Sequence, residues 1–222
     1  MNILYRMCIG MVVLFGFSYS LDSAEMTQLI RKGDVAGIEK MIVQNPGLLK
    51  VDEKRGHAPL HYAVSVGNIE IIKLLLDKGM KVDCLYHQRN TPFTFAAYGG
   101  KVAIAKLLLK RGANLNHNNQ FNETALVFAV RNRHHRFIDF LLDNDLRLEE
   151  NIKHKKINIH EIAKAGNRRL LDRVLKLGMK VYTDSETGDS FLHSVASGGH
   201  LKYVQKIVKK SKQVNTANHF GY

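Results

Sequence analysis

The sequence predicts an all-α protein built from stacked helix-turn-helix units with projecting loops. Three observations carry that prediction. A short phrase recurs at a fixed step of 33 residues, as Ala58-Pro59-Leu60-His61, Thr91-Pro92-Phe93-Thr94, Thr124-Ala125-Leu126-Val127, Ile157-Asn158-Ile159-His160 and Ser190-Phe191-Leu192-His193. Nine residues after each start stand Gly67, Gly100, Arg133, Gly166 and Gly199. Between them the chain carries leucine-rich runs of helical spacing, with only three prolines and no tryptophan. A period of this size marks a repeat array, in which function lies in exposed surface rather than in one pocket.

The first twenty residues differ from the rest. Arg6 gives a positive start, Met7 to Phe17 is an apolar run, and Ser18-Tyr19-Ser20 supplies small residues at a cleavage position. This is the layout of a secretory signal peptide over residues 1–20. The run falls short of the ~20 residues that span a bilayer. Export to the periplasm or the exterior is the expectation, with an uncleaved N-terminal membrane anchor as the alternative.

Residues 21–54 follow as an N-terminal capping helix pair. Leu29-Ile30, Gly33-Asp34, Ile38, Met41 and Ile42 supply its helices, and Asn45-Pro46-Gly47 its turn. From residue 55 to 222 come five repeats, at about 55–87, 88–120, 121–153, 154–186 and 187–219. In the first, Pro59 has the φ required one residue into a helix, and Leu60 and Ala63 share one face. Gly67 suits the left-handed residue that ends this helix. Ile71, Ile72, Leu74, Leu75 and Leu76 give the second helix a wide apolar stripe, and Gly79 stops it. The third copy lacks both glycines, with Arg133 and Asp145 in their places, so altered or strained turns are expected there. The fourth has Ile157-Asn158 where others have Thr-Pro. The last pair ends with Ile207 and Val208 partly uncovered if nothing stacks on it.

These residues resemble the ankyrin repeat, whose pattern is G-x-T-P-L-H-x-A, a Gly after the first helix, then L-L and G-A-x-V-N. The stretch from Arg89 to Asn116 is the cleanest copy and keeps Thr91, Pro92, Ala96, Gly100, Leu107-Leu108, Gly112 and Ala113. The resemblance covers about Met26 to Tyr222 and implies a non-enzymatic protein-binding module. The 34-residue tetratricopeptide pattern is absent.

The resemblance also implies where a partner meets the chain: at loop tips and on the outer, concave side of the first helices. By register these positions include Gln88, Gln120, Phe121 and His154 in loops, and Tyr98, Arg131, Asn132 and Lys164 on helices. Tyr86, Tyr98 and Phe121 beside Arg131, Gln88 and His154 have the composition of an interface hot spot. Packing of Phe121 against a neighbouring loop is the structural alternative. Another protein is the expected partner, bound by a monomeric scaffold. Variants of that role are an inhibitor, an immunity factor or a host-directed effector.

Composition narrows the remaining classes. The formal charge is +13, or +12 without Arg6, and Asn151 to Lys212 alone holds a balance of +9. A solvated face accounts for that, and docking on an anionic membrane is the sharper reading; no nucleic acid is expected. Once Cys8 leaves with the leader, Cys84 stands alone, a small apolar filler with no disulfide partner. Gly188-Asp189-Ser190-Phe191 is similar to an esterase nucleophile block, but Ser190 occupies the helix-capping position of Thr91. His160-Glu161 starts like a zinc-protease helix, yet the residue four after His160 is Lys164. His61, His160 and His193 share one repeat position, and stacked repeats space such residues by ~10 Å per step, too far to share a metal ion. Neither cofactor nor metal is expected.

Overall fold

The computed structural model describes residues 22–52, 58–144, 146–153, 157–177 and 191–210. Among them the secondary structure is helical throughout, apart from one isolated bridge between Tyr86 and Asn90. The chain divides into two compact units. One holds the N-terminal part to Ala96 together with Ala103–Asn114, and the other holds Ala97–Val102 and everything from Leu115.

In the first unit, α1 (22–32) leads through Gly33, at φ +75°, into α2 (Val35–Gln44). Asp34 caps α2 by accepting from the Gly37 amide at 2.8 Å. A 3-10 turn at Pro46–Leu49 closes this pair, with Leu48 buried. Next come α3 (Pro59–Val66) and α4 (Ile69–Asp77), then α5 (Pro92–Tyr98), whose last two residues belong to the second unit, and α6 (Val102–Lys110), whose first residue does. Pro59 stands in the first turn, where its missing N–H leaves no bond unmade, and Gly67 ends α3 at φ +97°. Leu60, Ala63, Ile71, Ile72 and Leu75 are fully buried. Each large aliphatic contributes about 1.5–3 kcal/mol when it leaves water. Asp83 joins successive loops by accepting from the Asn114 amide at 3.0 Å.

The second unit contains α7 (Ala125–Arg131), α8 (His135–Leu142), α9 (Leu148–Lys153), α10 (Ile159–Ala165), α11 (Arg168–Lys176), α12 (Phe191–Ser197) and α13 (Leu201–Lys210). First helices pack on first helices, α7 on α10 and α10 on α12, and second helices likewise, α8 on α11. Phe137 and Phe191 are the largest fully buried side chains among the described residues of this unit.

Three local features depart from the simplest reading of the repeat. Arg133 occupies the missing glycine's place and still adopts φ +53°, so the turn is kept at the cost of backbone strain that glycine would not bear. Residue 145, the second lost glycine, lies outside the described residues. The third copy does not project an extended loop before residue 153 but forms α9, because Asn151 points inward. Its Oδ1 accepts from the buried Thr124 hydroxyl at 2.9 Å, and its Nδ2 donates to the Arg147 carbonyl at 2.7 Å. Thr124 is thereby diverted from capping α7, whereas Thr91 does accept from the Thr94 amide, at 3.3 Å. Ser190 lies outside the described residues.

Candidate protein-binding surface

In the first unit the loop before α5 is a tight hairpin. The amides and carbonyls of Tyr86 and Asn90 exchange two bonds of 3.0 Å. His87, Gln88 and Arg89 between them all have positive φ, at +40°, +61° and +60°. Three consecutive left-handed residues without glycine are costly, so the surroundings must hold the tip. Two contacts do so. Asn90 Nδ2 donates to the His87 carbonyl at 2.8 Å, and His61 Nε2 donates to the Asn90 carbonyl at 3.1 Å.

Tyr86 was expected to present an exposed ring. Instead it is half-buried in a ring cluster with His61 (5.5 Å), Tyr62 (6.2 Å) and Phe95 (6.5 Å), and so packs this hairpin onto α3 and α5. Gln88 is also half-buried.

His61 and Cys84 form the nearest approach to a nucleophile and base in this unit, with Sγ 4.0 Å from Nδ1. Burial pushes the thiol up to about 12 and the imidazole down to about 4, the latter against bonds to the Asn90 and Cys84 backbone. A thiol held protonated beside a neutral ring is the reverse of an activated cysteine. The pair packs the hairpin.

The second unit holds the remaining described positions. Tyr98 and Phe121 are 63% and 58% exposed, so Phe121 does not fold back on its neighbours. The Phe128 ring supports Tyr98 edge-on at 6.4 Å. Phe121 stands at the tip of a loop built around Asn119, which is buried. Asn119 Oδ1 accepts from the amides of Phe121 and Glu123, both at 2.9 Å, and its Nδ2 donates to Glu123 Oε2 at 3.0 Å. Asn122 turns the chain at φ +62°. Gln120 is exposed on the same tip.

Arg131 is not free to meet a partner, although its register position suggested that it would be. Its guanidinium bridges Glu123 in the loop and Glu161 on α10, the latter at 3.0 Å. Partial desolvation opposes the charge, but the bonds and attraction of the two carboxylates outweigh it and raise the pKa. Glu123 thus ties the Phe121 loop both to Asn119 and, through Arg131, to the next repeat. Asn132 turns its amide back to the Phe128 carbonyl at 2.8 Å, and Lys164 is exposed on α10. His154 lies outside the described residues.

Asn119, Glu123 and Glu161 were missed by the register argument. The only signal was the Asn-x-x-x-Glu spacing before the third copy, which has meaning once the loop is closed.

The histidines do structural work. His134 Nε2 donates to the Tyr98 carbonyl at 2.9 Å, across the turn at Gly100, and His160 Nδ1 lies 2.8 Å from Ser194 Oγ. Among the described residues no three His, Cys, Asp or Glu side chains gather as a metal site would need. Nor is any helix among them long and apolar enough to cross a membrane.

The surface is therefore a set of repeat positions on a helical scaffold, with one aromatic loop tip held in place. No curated protein matches the chain. The family described as Ankyrin repeats (3 copies) matches residues 26–119 and 82–153, which together span more than half of the sequence. That family consists of all-α repeat solenoids that generally act as protein–protein interaction modules and are typically non-enzymatic. The match starts at residue 26 and so takes in the N-terminal helix pair as well as the repeats that follow; the chain belongs to the ankyrin-repeat family.

Proposed function

We propose that this protein is an exported ankyrin-repeat scaffold that binds a partner protein, with Phe121 and Tyr98 as anchors and the exposed Gln120 and Lys164 as further contacts. The carrying observation is Phe121: a large apolar side chain 58% exposed on a loop whose backbone is pinned by Asn119 and Glu123. A preorganised aromatic loses little entropy on binding, which is what an interface anchor requires. Arg131 acts here as a positioning residue, holding Glu123 and with it the loop. The surface is consistent with a plain scaffold and with an inhibitor alike, since both need only a complementary partner.

Export rests on residues 1–20, and the repeats on the boundaries given by the 33-residue step. N-terminal sequencing of the mature protein from fractionated cells tests the first; a start at Met1 in the cytosolic fraction refutes it. For the surface, capture of partners from the compartment where the protein resides is compared between wild type and Tyr98→Ala with Phe121→Ala. Both side chains are mainly exposed, so the melting temperature should hold while binding falls at least tenfold, about 1.4 kcal/mol. Unchanged capture by the folded double variant would refute the assignment.

A further inference from the structure

The second helices of the second unit carry a charge pattern that neither partner recognition at Phe121 nor repeat stacking uses. Helices α8 and α11 pack together, and α13 is tied to α11 by side-chain bonds. Tyr203 of α13 donates its hydroxyl to the Arg168 carbonyl at 2.9 Å and lies 3.1 Å from Asp172 Oδ2. In sequence, α11 carries Arg168, Arg169, Arg173 and Lys176, and α13 carries Lys202, Lys206, Lys209 and Lys210, against Asp172 alone. The balance over the two helices is +7.

Internal pairing absorbs little of this charge. Arg169 is paired with Asp143 and Lys206 with Asp172, whose carboxyl that contact holds below its usual range. Arg168, Arg173, Lys176, Lys202 and Lys209 are exposed, with no ion pair among the described residues. Arg169 and Arg173, like Lys202 and Lys206, are four apart, a spacing at which like charges oppose the helix. The corresponding helices of the first unit are nearly balanced: α4 carries Glu70 and Asp77 against Lys73, and α6 carries only Lys106 and Lys110.

We propose that α11 and α13 form an electrostatic docking face for a bilayer leaflet rich in anionic phospholipid. Charge complementarity is the main argument: basic side chains near an anionic surface each add binding, and lysines do so without directional partners. The same helix also exposes Leu201 (67%) and Val208 (38%), aliphatic side chains suited to the headgroup boundary beside lysines. A nucleic acid is less well served. The one aromatic on these two helices, Tyr203, has its hydroxyl engaged by α11 and Lys206 over its ring at 5.6 Å, so it offers no open stacking platform.

The test is co-sedimentation of the full chain with vesicles of phosphatidylcholine containing about one-third phosphatidylglycerol. The comparison is with Arg173→Gln, Lys202→Gln, Lys209→Gln and with a control triple on the other unit, Lys73→Gln, Lys106→Gln, Lys110→Gln. All six side chains are exposed, and unchanged melting curves verify folding. Removing three charges from the face should weaken binding about 100-fold, while the control stays near wild type. Raising salt from about 0.05 M to about 0.5 M should release the wild type. Three results overturn the proposal: equal binding to pure phosphatidylcholine vesicles, equal loss in both triples, or retained vesicle binding by the first triple while its affinity for a short DNA duplex or polyglutamate falls.

Discussion

Protonation of His61 should destabilise this protein in mild acid, and the size of the effect follows from its surroundings. The ring is 1% exposed, donates from Nε2 to the Asn90 carbonyl, and lies against Phe95 (5.0 Å) and Tyr86. Burial lowers its pKa to about 4, from 6.5 in the unfolded chain. The unfolded state therefore binds the extra proton between those two values, so stability is full above pH 6.5 and declines as pH falls towards 4. At one pKa unit per 1.36 kcal/mol, less the partial protonation of the folded state, the loss reaches about 3 kcal/mol at pH 4. Urea unfolding followed by circular dichroism at several pH values from neutral to about 4 measures it. Carboxylates titrate over the acid end of that window, so the informative quantity is the slope difference between wild type and His61→Gln. Glutamine can still donate towards Asn90 but has no charge to acquire. The variant should be less stable at neutral pH and flatter below pH 6.5. Parallel pH profiles for the two proteins would refute the reasoning.

Two further outcomes follow from the turns. Arg133→Gly should stabilise by about 1 kcal/mol, because glycine adopts φ +53° without the steric cost an arginine bears; a lower urea midpoint would contradict it. Gly100→Val should destabilise by about 2–4 kcal/mol, since it adds left-handed strain and its Cβ would fall 2.7 Å from His134 Nδ1, displacing the ring from the Tyr98 carbonyl. Gly79, at φ +96° with nothing within 4 Å, is the control. Gly79→Ala should cost only the conformational part, and equal losses for Gly79→Ala and Gly100→Ala would remove His134 from the explanation.

The helices and their order were legible from the sequence because each repeat states its own grammar locally. Proline at the first turn, glycine at the helix end and a leucine stripe are all short-range signals. They placed α3 to α6 and the buried Leu60, Ile72 and Leu75 without any long-range information. The third copy shows where this stops. Its sequence pointed to an altered or strained turn at Arg133, and the turn is the strained one: the backbone keeps the left-handed conformation at φ +53° without a glycine. The same copy hid α9, because Asn151 reads as a loop residue until Thr124, 27 positions earlier, stands beside it.

The candidate surface divides in the same way. Repeat register identified Tyr98 and Phe121 as positions that stacking does not need, and both are exposed. It could not separate Tyr86 or Arg131 from them, as exposure at those sites depends on partners distant in the chain: the His61 and Phe95 rings for one, Glu123 and Glu161 for the other. Nor could it show that Asn119 holds the Phe121 tip.

By itself, then, the sequence determined the fold class, the repeat length and the ends of most helices, because these depend on residues within one turn of each other. Only the tertiary structure decided which ring is an anchor and which is core, which arginine is paired, and which histidine is kept neutral. Those properties are set by what is brought within about 4 Å of a side chain, and a periodic sequence places neighbours one repeat apart without saying which of them touch.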